Sequence, residues 1–465
     1  MEIIKPIPTI IIGLLLSIES SFSSETALIF TPFFSSTYYS SGSVFQPEKE
    51  SNTTITSFQL GAKKNTGQWS ISGKFQFITA TNLDSNSAFF NPDFNFEHRR
   101  GYYGSDNTWF ESSSLIMNYH NSEKFSVFFG KDRVQWGAGR SNLILSNHCP
   151  TYPLASFNWK ISERLNMQYF IASLASQISD SSQNELYPGR EVYVDRSIAG
   201  HRLKYSLLDK LTLSAIETVI FGNRKFDEHY LLPFIPFWSM QHYTGDVDNV
   251  QMCGEISWIP KDELKIYTSI FIDEWRPEST FDKQNRNWIG YQIGLKKNNL
   301  LIEYTWTDHR IYRHKYSENN SYTYNFPLGF WAGPHAEEFI IIFNQQLGGW
   351  NFQSNISQVK RGELTEEMLN GQYTDPVIVY KRYNGNLETR MIISSKAIKG
   401  ILNNKLFLEL EGQWIDWKNA GFDPYDSGRM GKDISKFSIN LKGFLDTPRI
   451  HLSIPLQVHP DHLGQ

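Results

Sequence analysis

Length, composition and charge limit the classes of protein to which this chain can belong. It has 465 residues, and 44 Lys and Arg against 48 Asp and Glu leave a net charge of −4, which excludes a basic nucleic-acid-binding field and an acidic tail. Aromatic residues make up 15% of the chain although its mean hydropathy is −0.40. Soluble proteins bury aromatic residues in a core, whereas transmembrane barrels expose them to lipid around a polar lumen, and this composition suits the barrel somewhat better.

The N-terminus has the pattern of a secretory signal. Lys5 precedes an apolar run over residues 7–18, which is too short to span a bilayer as a helix, and small residues at 21–23 offer a cleavage site. We predict a signal peptide at 1–23, an N-terminal extension at 24–53 and a barrel at 54–465. Because no later stretch is apolar enough for a transmembrane helix, a membrane protein of this sequence has to be a closed barrel.

Apolar and polar residues alternate repeatedly, with the period of two that is typical of half-buried strands. The alternation is clearest over residues 69–77, 300–307, 350–356, 437–442 and 450–458. Charged residues such as Glu303 stand on the polar face of these segments, as expected if that face lines a lumen and the opposite face contacts lipid.

The connections between strands alternate between short and long. Tight turns are predicted at 65–66, 121–122, 208–209, 260–261, 298–299, 348 and 403–404. Long polar stretches separate them at 81–108, 132–153, 177–196, 223–249, 310–334, 360–385 and 416–432. Outer-membrane barrels have this alternation, with tight periplasmic turns and long outer loops. The predicted fold is therefore all-β, a transmembrane antiparallel barrel of about eighteen strands with long outer loops.

The strand count contains a conflict. Counting from residue 54 to residue 458 gives roughly eighteen strands of the length that spans a membrane. If both termini are periplasmic, the first connection has to be external, yet the turn at 65–66 is short. An additional strand at 27–34 repairs the topology but makes the number of strands odd, so the sequence leaves the count open by one or two.

The sequence lacks the motifs that would indicate an enzyme. It has no nucleophile elbow, phosphate-binding loop, dinucleotide fingerprint or zinc helix, and we predict no catalytic residue, no cofactor and no metal. Asp308, His309 and Arg310 are adjacent, but on a strand such neighbours point to opposite faces. Cys149 and Cys253 either pair in an oxidising compartment or remain two separate thiols.

One Gly-rich segment combines residue types that bind sugars. A predicted strand at 125–130 runs into the sequence GKDRVQWGAGR at 130–140, whose glycines permit tight folding. Trp136 offers a flat apolar face, whereas Arg133 and Arg140 offer planar arrays of donors and Gln135 both donates and accepts. Two interpretations remain open: a ligand site, or a loop that folds into the lumen as a plug.

The same segment carries a resemblance to a known family. The run GKDRVQWGAGRSNLILSN at 130–147, followed by prolines, resembles the signature of the Wzi-like capsule-assembly proteins. Three further stretches are similar in the same order, namely GHRLKY at 200–205, LLPF at 231–234 with Asp248 and Asn249, and IFIDEW at 270–275. The resemblance covers residues 125–275 well, and the later hairpins only by their pattern.

Membership of that family implies an eighteen-stranded barrel of the bacterial outer membrane that binds capsular or exopolysaccharide at the cell surface and aids capsule assembly without catalysis. The expected partners are this polysaccharide and outer-membrane lipid, with no nucleic acid, and the expected state is a monomer. The best-known members carry a helical periplasmic bundle before the barrel. This sequence departs from them, because the residues between the signal and the first clear strand have no helical pattern.

The resemblance and the side-chain chemistry together give a hypothesis for the polysaccharide site. Its residues are Arg133, Gln135, Trp136, Arg140, Asp273, Glu274 and Trp275. Asp273 and Glu274 end an alternating strand, where they either accept sugar hydroxyls or pair with the arginines. The alternative function is an outer-membrane porin or saccharide channel, which uses the same barrel but leaves the lumen open.

Overall fold

The computed structural model describes residues 28–43, 50–83, 100–103, 107–183, 185–224, 227–243, 245–276, 278, 281, 287–374, 376–420, 431–446 and 450–452. The predicted signal peptide at 1–23 lies outside these residues. The strands are β1 (Leu28–Tyr39), β2 (Thr53–Thr66), β3 (Trp69–Thr81), β4 (Arg100–Tyr103), β5 (Asn107–Ser122), β6 (Phe125–Asp132), β7 (Tyr152–Lys160), β8 (Leu165–Leu174), β9 (Arg196–Leu208), β10 (Leu211–Gly222), β11 (Asn249–Lys261), β12 (Leu264–Glu274), β13 (Trp288–Lys297), β14 (Leu300–Thr307), β15 (Tyr322–Thr323), β16 (Phe326–Pro327), β17 (Ala336–Leu347), β18 (Trp350–Gly362), β19 (Leu387–Ile401), β20 (Leu406–Ala420), β21 (Lys432–Asp446) and β22 (Ile450–Leu452).

The strands form one closed antiparallel barrel of eighteen wall strands. Successive strands pair as neighbours, and β1 closes the wall by pairing with β2 on one side and with β21 and β22 on the other. The short strand β4 pairs with the beginning of β5, and β15 and β16 form a separate small hairpin. The predicted fold class is confirmed.

The closure at β1 resolves the conflict in the strand count. The predicted strand at 27–34 exists as Leu28–Tyr39, so the barrel includes residues that the sequence interpretation assigned to the extension 24–53. The predicted strands at 437–442 and 450–458 pair in succession with the same strand β1, so they are two parts of one wall strand. Residues 453–458 of the second lie outside the described residues.

The alternation of short and long connections is confirmed. The first connection, residues 40–52, is long, and short turns then alternate with long connections around the barrel. Three connections were not among those predicted: the long connections at 40–52 and 275–287 and the short turn at 161–164. The beginning of β1 and the end of β22 therefore lie at the end of the barrel that carries the short turns, which is the periplasmic end in such barrels.

The predicted faces of the strands are also confirmed. On β3, the apolar face is exposed on the outside of the barrel and includes Trp69, Ile71, Phe75 and Phe77. On β14, Glu303 and Thr305 are 1% exposed because they face an occupied lumen. Within the described ranges, no helix has the length and apolar character needed to cross a membrane, and the two α-helices are the short Phe237–Tyr243 and Glu366–Gly371.

The main hydrophobic core lies inside the barrel rather than in its wall. Two outer connections fold inward: residues 133–151, here called the plug loop, and residues 308–335, here called the second lumen loop. Trp136 and Leu143 of the plug loop pack with Tyr312 and Phe330 of the second lumen loop and with inward-facing strand residues such as Phe170. The two loops thus fill one side of the lumen.

Candidate functional site

The Gly-rich motif is the part of the plug loop that packs directly against the lumen wall. The backbone of Trp136 bridges to Leu145 across the loop, which brings the motif beside the following Leu-rich segment. A Cβ atom on Gly139 would lie 2.3 Å from Glu303 Oε2 and 2.4 Å from Gln292 Oε1, so only glycine lets the loop approach the wall this closely.

Two buried carboxylates hold the plug loop. Glu303 of β14 accepts hydrogen bonds from the backbone N–H groups of Arg140 and Ser141, each at 2.8 Å, and from the Tyr267 hydroxyl at 2.5 Å. Glu338 of β17 accepts from the Ser141 hydroxyl at 2.8 Å. Hydrogen bonds to ionised acceptors are stronger than neutral ones, so these carboxylates fix the position of the loop inside the barrel.

Further side chains of the wall bind the plug backbone. Gln292 Nε2 donates to the carbonyl oxygen of Ser141 at 2.6 Å, and Lys265 Nζ donates to that of Ala138 at 2.8 Å. Polar side chains on the lumen face therefore form hydrogen bonds with the backbone of the plug loop at residues 138, 140 and 141. The interpretation of this segment as a lumen plug is the one that its contacts support.

Trp136 does not present its ring to a ligand. It is 4% exposed and packs edge-on against Phe170, with ring centroids 5.1 Å apart. A Cβ atom on Gly200 of β9 would lie 2.4 Å from Phe170 and 3.0 Å from Trp136, so this glycine makes room for both rings. The plug core covers the Trp136 ring in this structure, so the stacking of Trp136 on a sugar stays a prediction.

The polar residues of the motif behave differently from Trp136. Gln135 and Arg140 are exposed, and Arg133 is half-buried with its Nη1 donating to the Asn147 carbonyl oxygen at 2.6 Å. Arg133 and Arg140 line the open part of the lumen. These two arginines are therefore accessible to a ligand in the lumen, whereas the ring of Trp136 is buried in the plug core.

The three remaining residues of the predicted site, Asp273, Glu274 and Trp275, do not lie on the same side of the barrel wall. Asp273 is buried and accepts hydrogen bonds from Gln251 Nε2 at 2.8 Å and from the Tyr312 backbone N–H, so it holds the second lumen loop. Trp275 is 44% exposed and lies 5.9 Å from the ring of Trp238 in another outer connection. Glu274, half-buried, lies between them at the end of β12. The structure does not bring these residues together with Arg133 and Arg140 as one site.

A polar cavity of about 1130 Å³ occupies the side of the lumen that the plug leaves open. Hydroxyl and amide side chains from β1–β3, β5 and β17–β21 make up much of its wall. Its described basic residues are Lys63, Lys74, Lys131, Arg133, Arg140, Arg390, Lys396 and Lys442, and its acidic residues are Asp132, Glu338, Glu409 and Glu411. The excess of basic side chains favours anionic solutes.

A second cavity, of about 440 Å³, lies at the outer mouth and is here called the outer pocket. The second lumen loop provides its half-buried rings, namely Tyr322, Tyr324, Phe326 and Trp331. Its cationic and amide side chains are Arg196, Arg313, Arg361, Gln177, Asn320 and Asn325. His148 and Trp331 line both this pocket and the lumen cavity, so the two spaces adjoin.

Trp331 is held rigidly at this boundary. Its Nε1 donates to Glu338 at 3.0 Å, and the guanidinium of Arg390 lies 4.4 Å from its ring centre. The same guanidinium lies 5.1 Å from the ring of Trp417, which fixes Arg390 between two indoles. Sequence reasoning missed Trp331 and Glu338, and the signal available for Glu338 was a charged residue on the inward face of a strand.

Asp308, His309 and Arg310 correct a prediction about their geometry. The strand β14 ends at Thr307, so these residues form a turn instead of alternating across a sheet. Arg310 Nε lies 2.9 Å and His309 Nδ1 lies 3.3 Å from the Asp308 carboxylate. The three side chains do converge, and the Arg310 guanidinium lowers the pKa of Asp308 despite its burial. No group of three potential metal ligands occurs among the described residues.

His335 links the second lumen loop to the connection at 363–386. Its Nδ1 donates to the Glu363 carbonyl oxygen at 2.8 Å, and its Nε2 accepts the Tyr383 backbone N–H at 3.0 Å. The imidazole is therefore neutral, and it stacks on the Tyr383 ring at 5.1 Å. Burial lowers its pKa from 6.5 to about 4.

We expect this link to weaken on acidification. A released His335 keeps a pKa near 6.5, whereas the held residue has a pKa of about 4, so the released state binds more protons between these values. The link is complete above pH 6.5 and is lost as the pH falls to about 4. Limited proteolysis of residues 363–386 across this range should show increasing cleavage, and His335→Gln should remove the pH dependence. An unchanged pH dependence in that variant would contradict the assignment.

The cysteines are both buried, and they form no disulfide with each other. Cys149 belongs to the plug loop and Cys253 to β11, and both pack in the core inside the barrel. Of the two possibilities left open by the sequence, the structure therefore has two separate thiols.

Comparison with known proteins places the fold. No protein-family model and no curated protein matches the sequence. Among solved structures, the chain is similar to Wzi from Escherichia coli, described as an outer membrane protein involved in group 1 capsule assembly and a carbohydrate-binding β-barrel, with a TM-score of 0.52 and 13% identity over 94% of this chain and 91% of that one. OccAB3 from Acinetobacter baumannii aligns with a TM-score of 0.45 and 10% identity over 92% and 99% of the two chains.

A further structure, OccK5 (OpdH) from Pseudomonas aeruginosa, aligns with a TM-score of 0.46 and 10% identity over 91% of this chain and 98% of that one. At these identities the similarities concern the fold. Together with the lipid-facing apolar wall and the alternating connections, the comparison with Wzi identifies the chain as a β-barrel of the bacterial outer membrane.

Proposed function

We propose that the chain is a non-catalytic barrel that binds an acidic saccharide at the outer mouth of its plugged lumen. The observation that carries this proposal is the outer pocket, where four aromatic rings, Arg313 and Arg361 surround one cavity next to a cationic part of the lumen. Capsular or exopolysaccharide with acidic sugars has the chemistry that this combination fits.

Aromatic rings and cationic side chains would recognise different parts of the saccharide. Aromatic rings offer flat apolar faces to the C–H surface of a sugar, whereas guanidinium groups bind carboxylates through paired donors. Arg361 is held by Glu388 through a 2.5 Å contact, so its position is set before a ligand arrives. The fold similarity to a carbohydrate-binding barrel agrees with this proposal, which concerns the second lumen loop more than the Gly-rich motif.

A second candidate function rests on the lumen cavity itself. Its open side is polar and carries more basic than acidic residues, as a pathway for small anionic solutes requires. The plug loop fills only the other side of the barrel. The two functions differ in whether current flows through the intact protein and whether a saccharide blocks that current.

Tyr324→Ala is expected to weaken binding of an acidic exopolysaccharide by roughly ten- to a hundredfold, because a stacking ring contributes roughly 1–3 kcal/mol. Tyr187→Ala is the matched control, since Tyr187 is 53% exposed in the outer connection after β8. Titration calorimetry with purified barrel in detergent measures both, and a neutral dextran serves as the ligand control.

Equal affinity of the two variants for the acidic polysaccharide would contradict the assignment of the outer pocket. Planar-bilayer conductance, with and without the polysaccharide, separates the candidate functions. Stable anion-selective current that the polysaccharide leaves unchanged would favour the solute channel.

A further inference from the structure

The upper parts of β9 and β10 have an outward face that is not exposed. Ile198 and Ile216 pack in the core around Trp136, so they face the lumen. Side chains alternate across a strand, and Ala199 and Glu217 therefore face outward, toward lipid. Yet Ala199 is 0% and Glu217 only 7% exposed. Something outside the wall covers them.

The cover is a part of the outer connection between β10 and β11. Its short helix, Phe237–Tyr243, begins directly on Glu217, whose Oε2 accepts the Phe237 N–H at 2.8 Å and whose Oε1 accepts the Trp238 N–H at 2.6 Å. His201 Nε2 lies 2.9 Å from the same carboxylate. A carboxylate facing hydrocarbon would be costly without partners, and the connection supplies them.

The connection reaches far along the outside of the barrel. The Tyr169 hydroxyl of β8 donates to the Tyr230 carbonyl oxygen at 2.9 Å. The ring of Phe234 lies 6.1 Å from that of Trp159, edge to face. Trp159 is next to the last residue of β7, at the end that carries the short turn. Phe234 is therefore well below the mouth of the barrel.

The exposed apolar band of the wall is incomplete without this cover. On β3 the band runs from Trp69 to Phe77, whereas on β9 it runs only from Leu203 to Leu207. Such bands are about 25 Å tall, which requires about ten residues of a tilted strand. The connection adds exposed apolar side chains above the short band, namely Leu231, Leu232, Phe234, Ile235 and Trp238.

The backbone of this segment is also suited to a lipid environment. Pro233 and Pro236 carry no N–H group, and the Ile235 N–H donates to the Leu232 carbonyl oxygen at 3.2 Å. Glu217 accepts the next two N–H groups, as described above. Irregular backbone is tolerated at membrane depth only when its polar groups have partners within the protein.

We propose that residues 230–238, here called the side cover, insert among the acyl chains of the membrane and complete the lipid-facing wall over β8–β11. The continuity of their exposed side chains with the apolar band below is the reason to choose lipid as the occupant. Trp238 and Trp275, with rings 5.9 Å apart, would lie toward the headgroups, where indoles concentrate at membrane interfaces.

Spin labels test this proposal. Both native cysteines are buried, so one introduced cysteine takes up the label. Phe234→Cys is compared with Leu186→Cys, because these residues are 64% and 69% exposed and both belong to outer connections. In phosphatidylcholine vesicles, we expect collisions with oxygen to exceed those with a water-soluble nickel chelate at position 234, and the reverse at position 186. Heat-modifiable migration on gels confirms that each variant is folded.

Two results would overturn the proposal. Nickel-chelate collisions at position 234 that equal those at position 186 would place the side cover in water. Spin–spin broadening at position 234 that disappears on dilution with unlabelled protein, but not with lipid, would identify a second copy of the chain as the occupant.

Discussion

Glu303→Ala is expected to release the plug loop and raise the single-channel conductance several-fold. The carboxylate accepts two backbone N–H groups of the plug loop and the Tyr267 hydroxyl. Each hydrogen bond to such a charged acceptor contributes roughly 1.5–3 kcal/mol, and all three are lost together. Planar-bilayer recording measures the conductance, and proteolysis of residues 133–151 in the folded barrel reports the release of the loop.

Glu409→Ala is the matched control for this experiment. Glu409 is also a lumen-facing glutamate, but it lies on β20 and its ion-pair partner is Lys396 of β19, at 3.9 Å. We expect this variant to alter ion selectivity slightly while the plug loop remains protected. If the Glu303 and Glu409 variants have equal conductance and equal protease sensitivity, Glu303 does not hold the plug.

We expect Trp136→Ala to lower the stability of the barrel, and Arg140→Ala to weaken saccharide binding while the barrel remains folded. Trp136 is 4% exposed in the core, and removing a buried Trp side chain typically costs about 3–5 kcal/mol. We expect the Trp136 variant to lose its heat-modifiable migration at a lower temperature and to conduct. Arg140 is exposed in the lumen, so its variant should fold as the native protein does and bind acidic saccharide more weakly.

Gel migration over a temperature series and calorimetric titration of both variants make this comparison. A Trp136 variant with native stability, a closed lumen and weakened saccharide binding would restore the stacking role that the sequence suggested. If Arg140→Ala binds the acidic saccharide with native affinity, Arg140 is not part of the binding site.

The barrel was predictable because the sequence patterns that identify its strands and turns are local. Alternation over residues 69–77 and 300–307 identifies strands and their two faces without reference to any partner. The connections gave the topology in the same way, since turns and long polar stretches differ in composition as well as length. The remaining conflict arose where pairing is not local: residues 437–442 and 450–452 belong to one wall strand only because both segments pair with β1.

The candidate site was less predictable, for a physical reason. Trp136 has the same side chain whether it stacks on a sugar or on Phe170, and only the path of the plug loop decides between them. The resemblance pointed to residues 130–147, and these are central to the lumen, but the structure assigns Trp136 to packing. The rings of the outer pocket lie in a loop whose composition gave no periodic signal, so Trp331 and Tyr324 were not identified.

The pairing of β1 with β21 has a consequence for how this chain assembles. Closure brings together residues from the two ends of the sequence, as in the hydrogen bond from the Ile439 N–H to the Ser40 hydroxyl, which spans 399 positions. Until the last wall strand arrives, β1 presents an open row of N–H and C=O groups that would pair with any available strand. The growing sheet therefore needs a temporary partner along that edge, and we expect biogenesis to depend on a template that holds β1 until β21 replaces it.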